Sequence, residues 1–244
     1  MSKLYRERIY GQYVDGRENS VAPSSVEGFE PRAPYIRRLI QRHFPENHNA
    51  TIMDLGCGHG ALVYFARQAG YTKVRGVDGS SQQVESAHRL GIQGVDGGDV
   101  MGTLSGLESE SHDCIIMFDV IEHFARDELI RVVDEVRRVL KPGGRWLIHA
   151  PNAESPFGAR MRFWDFTHEM AFTRTSIAQV LYSSEFSDVT SYEDEPIPHG
   201  VTSGIRWMLW KALRLLLRLY LAIETGDRGR SAIFSQNLLT VAIK

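Results

Sequence analysis

Two short runs hold most of the side chains that could do chemistry. The first, residues 52–60, reads Ile-Met-Asp-Leu-Gly-Cys-Gly-His-Gly. An apolar, β-type stretch at 51–55 drives into this glycine-rich turn, and 61–69 behind it carries apolar residues at helical spacing. Such a strand–turn–helix unit lets the backbone approach a ligand closely at a helix N-terminus. A tight structural turn would use the same glycines, so the run alone does not separate the two. A second β-like run, 73–77, ends in Asp78 with Gly79 behind it, roughly 20 residues past the turn, where such folds place an acid on ribose hydroxyls. A carboxylate there can accept both hydroxyl protons. The other run is Phe118-Asp-Val-Ile-Glu-His-Phe. Asp119, Glu122 and His123 crowd one turn just past a strongly apolar strand, more reactive groups than a connection needs. In open α/β sheets that edge is where ligands bind.

These residues need elements to hold them, and the hydrophobic pattern supplies a regular set. Pro31 opens a helix over 31–44 with Tyr35, Ile36, Leu39, Ile40 and Phe44 on its apolar face. Then follow strand 51–55, helix 60–69, strand 73–78, helix 81–90, a short strand 92–95 and strand 113–118. Helix 126–140, a Lys141-Pro-Gly-Gly turn, strand 145–150, helix 174–184, strand 188–193, helix 203–224 and strand 236–243 complete the chain. Strands alternating with helices predict a doubly wound, mostly parallel sheet of seven strands with helices on both faces. The run 114–118 suits a fully buried central strand. Residues 1–30, polar and turn-rich, read as an N-terminal arm or lid, and 31–244 as one domain with a helical insertion at about 198–233.

Composition narrows the class. A net charge of −2 gives no general pull toward nucleic acid. Cys57 and Cys114 imply no disulfide framework, which suits the cytosol. The first residues lack the apolar core of a signal peptide, and no uncharged stretch is long enough to span a bilayer.

The form Asp-Leu-Gly-Cys-Gly at 54–58 resembles the first motif of class I S-adenosylmethionine-dependent methyltransferases, and the resemblance covers roughly residues 30–195. It implies a Rossmann-like fold with S-adenosyl-L-methionine at the strand ends. Asp54 then lies beside the methionine moiety, with Gly56, Cys57 and Gly58 offering backbone, and Asp78 and Gly79 meet the ribose. Asp99 accepts from the adenine amine with Val100 beside the ring, and Phe118 closes over the cofactor. Asp54 could equally cap a turn, and Asp99 could be an ordinary loop acid. The segment Pro-Arg-Ala-Pro-Tyr-Ile at 31–36 is similar to a helix start in ubiquinone-pathway O-methyltransferases. There the arginine reaches the cofactor carboxylate, which would make Arg32 a contact; a solvated surface arginine is the alternative.

The Asp119-x-x-Glu122-His123 pattern resembles ubiquinone-pathway O-methyltransferases and small-RNA 2′-O-methyltransferases, in which it can hold a divalent ion near the attacking hydroxyl. Pro151-Asn152, then Asp-Phe-Thr-His-Glu-Met-Ala-Phe-Thr-Arg at 165–174, compares with the RNA enzymes, whose late histidine completes that site. The implied ligand set is Asp119, Glu122, His123 and His168, and its hard donors suit Mg²⁺ or Mn²⁺. A metal-free histidine base and a purely structural role are the alternatives. From Pro151 through Pro-His-Gly at 198–200 the chain is similar to methyltransferases found with bacterial surface-polysaccharide assembly. That implies O-methylation of a sugar hydroxyl on a lipid-linked glycan. A ubiquinone-type phenolic O-methyltransferase and a non-catalytic cofactor-binding regulator are the other readings. The acidic balance and the lack of an RNA-binding module disfavour small-RNA modification.

Helix 203–224 is basic and aromatic. At about 100° per residue, Arg206, Lys211, Arg214 and Arg218 share one arc, and Leu, Met and Ile fill most of the rest. Such a helix is expected to lie on an anionic membrane with its cations toward phosphate, placing a cytoplasmic enzyme peripherally at the inner face. A core helix with snorkelling arginines, or a homodimer contact, would use the same pattern.

Overall fold

The computed structural model describes Arg8, Ile9 and residues 22–244. Most of the expected arm or lid at 1–30 therefore lies outside the described residues.

The sheet has seven strands: β1 (Ile52–Leu55), β2 (Val74–Asp78), β3 (Val95–Gly97), β4 (His112–Phe118), β5 (Leu140–Pro151), β6 (Asp188–Glu193) and β7 (Asn237–Ile243). Their order is β3-β2-β1-β4-β5-β7-β6, and only β7 runs against its neighbours. The chain steps outward from β1 to β3 and then returns to β4 on the other side. That reversal opens a crevice at the carboxyl ends of β1 and β4, where a doubly wound sheet binds its ligand.

Helices cover both faces: α1 (Ala33–His43), α2 (Ala61–Gln68), α3 (Ser81–Arg89), α4 (Val100–Gly106), α5 (Arg126–Val139), α6 (Gly158–Trp164), α7 (Arg174–Ser183) and α8 (Val201–Thr225). Alternation along the buried strands divides the core. Met53, Leu55, Ile115, Met117 and Trp146 face the side covered by α5 and α7. Ile52, Cys114, Ile116 and Leu147 face α1 and α2.

Four local expectations change. The third strand begins at Val95, not residue 92, because Gly91 and Gly94 both take left-handed backbone (φ 74° and 81°) that a strand cannot hold. The Lys141-Pro-Gly-Gly turn is absorbed into β5, where the pairing with β4 slips between His112 and Cys114. A 3-10 turn, Val26–Arg32, precedes α1 and takes the first residues assigned to that helix. Helices α4 and α6 were not expected, being too short to give a periodic signal.

The largest departure concerns α8. Its only buried residue is Ser203. Of the four cations expected to face a membrane, Arg206 is exposed, while Lys211 Nζ lies 2.6 Å from Glu195 and Arg214 is paired with Glu193. Arg218 donates to the Arg228 carbonyl at 3.2 Å. α8 exposes many apolar side chains, including Leu209, Leu215, Leu216 and Ile223. Among the described residues, no helix is long and apolar enough to cross a membrane.

Candidate functional site

Backbone geometry builds the first half of the site. The N–H groups of Gly56 and Cys57 donate to the Val77 carbonyl at 2.8 and 3.1 Å, fastening the turn after β1 to the end of β2. Asp78 completes the fastening. Its Oδ2 accepts from Gly58 N–H at 2.7 Å and its Oδ1 from Ser80 N–H at 2.8 Å. Gly56 and Gly58 both hold positive φ, but for different purposes. A Cβ at Gly56 would lie 2.3 Å from Val120 Cγ2, so that glycine serves packing. A Cβ at Gly58 would meet nothing within 4 Å, so that backbone faces open space. Gly79 is similarly open, with only the Gly98 carbonyl 3.9 Å from its virtual Cβ.

Charge is concentrated in this cradle. Asp54 is 2% exposed at the end of β1, and burial together with the nearby Asp78 pushes its carboxyl up to about 8. Burial also raises Asp78, against the two N–H groups that stabilise its charge. The Cys57 thiol is pushed up as well, by burial and by the two aspartates, which keeps it protonated and unreactive. Phe118 ends β4 half-buried, its ring edge-on to His149. Arg32 is exposed at the close of the 3-10 turn, near enough for its charge to act on His59 and Asp119. Asp99 caps α4, accepting from Gly102 N–H at 2.8 Å, with Val100 half-buried behind it. Its observed partner is thus that of a helix-capping loop acid.

The second half forms where segment 165–170 folds back over the turn after β4. The N–H groups of Glu169 and Met170 donate to the Glu122 carbonyl at 2.8 and 3.2 Å. Arg162 donates to the carbonyls of His168 and Glu169. Glu122, His123 and His168 then offer one ligand atom each, all within 4.8 Å of one another. Partners fix the histidine tautomers. Thr167 gives its hydroxyl proton to Asp165 Oδ1 at 2.8 Å, so its oxygen accepts from His123 Nδ1 at 2.8 Å. His168 Nδ1 lies 3.0 Å from the Met161 carbonyl, which can only accept. Both rings therefore point Nδ1–H at these partners, which leaves Nε2 as the ring atom available to a ligand or a proton. His168 Nε2 is 3.8 Å from Glu122 Oε1.

Asp119 does not join this trio. Its Oδ1 lies 2.8 Å from Nδ1 of His149 on β5, and His149 Nε2 lies 3.3 Å from Asp194 Oδ2 just beyond β6. The expected ligand set of Asp119, Glu122, His123 and His168 thus loses its first member. The β4–β5 register sets His149 level with Phe118, which puts an imidazole beside Asp119. Burial opposes charge on His149, but the two aspartates outweigh it and hold its pKa well above the usual value. Sequence reasoning missed His149, Asp194, Asp165 and Thr167. Only His149 left a signal, as a lone polar residue inside the apolar run 146–150.

A family profile described as a methyltransferase domain matches residues 29–191, about two thirds of the chain. The chain belongs to this methyltransferase family. Human probable tRNA methyltransferase 9B is 30% identical over 140 residues, covering 57% of this chain and 29% of that protein. The O-methyltransferase resE of Aspergillus sclerotiorum is 27% identical over 146 residues, covering 54% of each. The methyltransferase domain thus spans less than a third of the first relative and about half of the second. A crystal structure of a SAM-dependent methyltransferase from Archaeoglobus fulgidus superposes with a TM-score of 0.65 at 18% identity, over 89% of this chain and 97% of that one. Phosphoethanolamine N-methyltransferase 2 of Haemonchus contortus, in complex with S-adenosyl-L-methionine, gives 0.65 at 16% identity, over 100% and 60%. At these identities the likeness is one of fold, and the fold is that of S-adenosylmethionine-dependent methyltransferases.

Proposed function

We propose that the domain transfers the methyl group of S-adenosylmethionine to a sugar hydroxyl of a lipid-linked glycan, assisted by Mg²⁺ or Mn²⁺ held by Glu122, His123 and His168. The observation that carries this reading is the pair of histidines with both Nδ1 protons tied outward. Two imidazole nitrogens and a buried carboxylate oxygen, all within 4.8 Å of one another, make a donor set that a cation can bridge. The donor set of one carboxylate and two imidazoles fits such an ion, which takes its remaining ligands from water or substrate. When bound, a divalent ion lowers the pKa of an oxygen beside it and orients neighbouring oxygens.

The chain's own residues account for the rest. Attack on the sulfonium methyl is an in-line displacement, and a hydroxyl is a poor nucleophile until its proton is leaving. The Gly58 backbone and Asp78 hold the cofactor side, and Asp54 meets its cationic methionine end. His123 or His168 accepts the hydroxyl proton if the ion is displaced. The Aspergillus relative is named an O-methyltransferase, which favours oxygen as nucleophile. The name of the human relative points to tRNA, but a net charge of −2 gives little electrostatic support for a polyanion here. The apolar outer face of α8 supports a lipid-borne acceptor, with the domain resting peripherally on the membrane.

Tritiated methyl transfer to nucleotide sugars, lipid-linked glycans and catechols, each with and without chelator, tests the proposal. Labelling of sugars that stops in chelator and returns with Mg²⁺ or Mn²⁺ supports it. Labelling of catechols alone would remove the sugar, and full activity in excess chelator would remove the ion and leave a histidine base.

A further inference from the structure

Asp119, His149 and Asp194 form a second polar cluster at the reaction edge, and nothing in the methyl-transfer reading accounts for it. Three strands contribute to it: Asp119 follows β4, His149 lies in β5, and Asp194 follows β6. His149 is 8% exposed, and each of its ring nitrogens faces a carboxylate oxygen. An ionised carboxylate only accepts hydrogen bonds, so satisfying both requires the imidazolium, which has two N–H donors. The far end is anchored in turn, because Asp194 N–H donates to Ser235 Oγ at 3.0 Å. Tyr35 of α1 adds its phenol beside Asp194, while Arg32 and His123 act electrostatically on Asp119.

This clamp acts on a strained residue. Asp119 has φ 55°, a left-handed backbone region that non-glycine residues rarely adopt. Its N–H donates to the His149 carbonyl at 3.0 Å, so one histidine holds both its main chain and its side chain. The Asp119 side chain is nonetheless 56% exposed, and it is Oδ1 that pairs with His149. A carboxylate paired with an imidazolium is a weak base but still a good hydrogen-bond acceptor.

We propose that His149 and Asp194 are positioning residues that hold Asp119 at the reaction edge to accept a hydrogen bond from a second hydroxyl of the acceptor, adjacent to the one that is methylated. This rests on the hydroxyl-acceptor reading and deepens it: the acceptor is a vicinal diol. Asp119 grips one hydroxyl while the Glu122–His123–His168 side handles the other.

The test compares paired probes with and without a vicinal hydroxyl: catechol with phenol, and UDP-galactose with its 3-deoxy analogue. The wild type should prefer the diol of a productive pair by about tenfold or more in kcat/KM, the scale of one hydrogen bond to a charged group. In His149→Gln, Asp194→Asn and Asp119→Asn that preference should collapse through a higher KM for the diol, with kcat within about threefold and cofactor affinity unchanged. Nitrogen-15 spectra of the histidine rings give a readout that needs no acceptor. Both His149 nitrogens should be protonated at pH 7.5 in the wild type and titrate at lower pH in Asp119→Asn. A neutral His149 in the wild type, or a diol preference that survives these substitutions, overturns the proposal. Failure of the wild type to methylate any of the four probes, with His149 still doubly protonated, would instead count against the hydroxyl-acceptor reading.

Discussion

Asp54→Asn should make cofactor affinity nearly independent of pH between 6 and 8, whereas the wild type should bind much more tightly at pH 8. Asp54 is 2% exposed and its carboxyl is pushed up to about 8, so the empty site holds it mainly protonated near neutrality. S-adenosylmethionine brings a sulfonium and an ammonium, which favour the carboxylate. At pH 6, ionising a group of pKa about 8 costs about 2.7 kcal/mol, two units at about 1.36 kcal/mol each. At pH 8 the cost is only about 0.4 kcal/mol, so affinity should rise about fiftyfold across the interval. The sign for stability runs the other way. A raised carboxyl pKa stabilises the empty fold below the unfolded value near 4, and this contribution drains away as pH climbs through about 8. The empty Asn variant should therefore outlast the wild type in urea above pH 8. Calorimetry at pH 6, 7 and 8, in two buffers of different protonation enthalpy, reads both affinity and proton release. The wild type should release close to one proton at pH 6 and about half at pH 8. A flat affinity with no proton release would refute the reasoning, because Asp54 would then be ionised before the cofactor arrives or remain neutral after it.

Four other variants probe three separate parts of the structure. Thr167→Val removes the hydroxyl that links His123 to Asp165 and should weaken Mn²⁺ binding about 10–100-fold; paramagnetic relaxation of water protons measures it, and unchanged affinity would take the ion away from His123. Gly56→Ala adds a Cβ 2.3 Å from Val120 to a residue at φ 77°, and should cost about 2–5 kcal/mol in urea unfolding. Gly58→Ala, with open space at its Cβ, should lose only about 1–2 kcal/mol while weakening cofactor binding. On α8, Leu209→Ser with Leu216→Ser should abolish sedimentation with anionic vesicles, while raising salt to about 0.5 M should leave wild-type attachment largely intact, since Lys211 and Arg214 are already paired. Strong salt sensitivity would mean that these cations leave Glu193 and Glu195 to face the lipid.

Features set by neighbours along the chain were legible before any strand met another. Alternating apolar runs determined the seven strands and nearly all the longer helices, because burial of one face is written at a period of two or 3.6 residues. The glycine turn at 56–58 and the acid ending β2 were legible because close backbone approach needs glycine and because a β–α unit has a nearly fixed length. The pairing of Glu122 and His123 was legible for the same local reason, and the late histidine through a resemblance. Tertiary structure decided what depends on strands meeting across the sheet. No spacing in the chain tells Asp119 to take His149, thirty residues away, as its partner; β4 lying beside β5 decides it, in the register that sets Phe118 level with His149. The same holds for α8. Its basic arc is plain in the sequence, yet Lys211 and Arg214 of that arc turn to the body because Glu195 and Glu193 lie beside them. Helical periodicity gives the angle between two faces of a helix, and only the packed partner decides which face meets water.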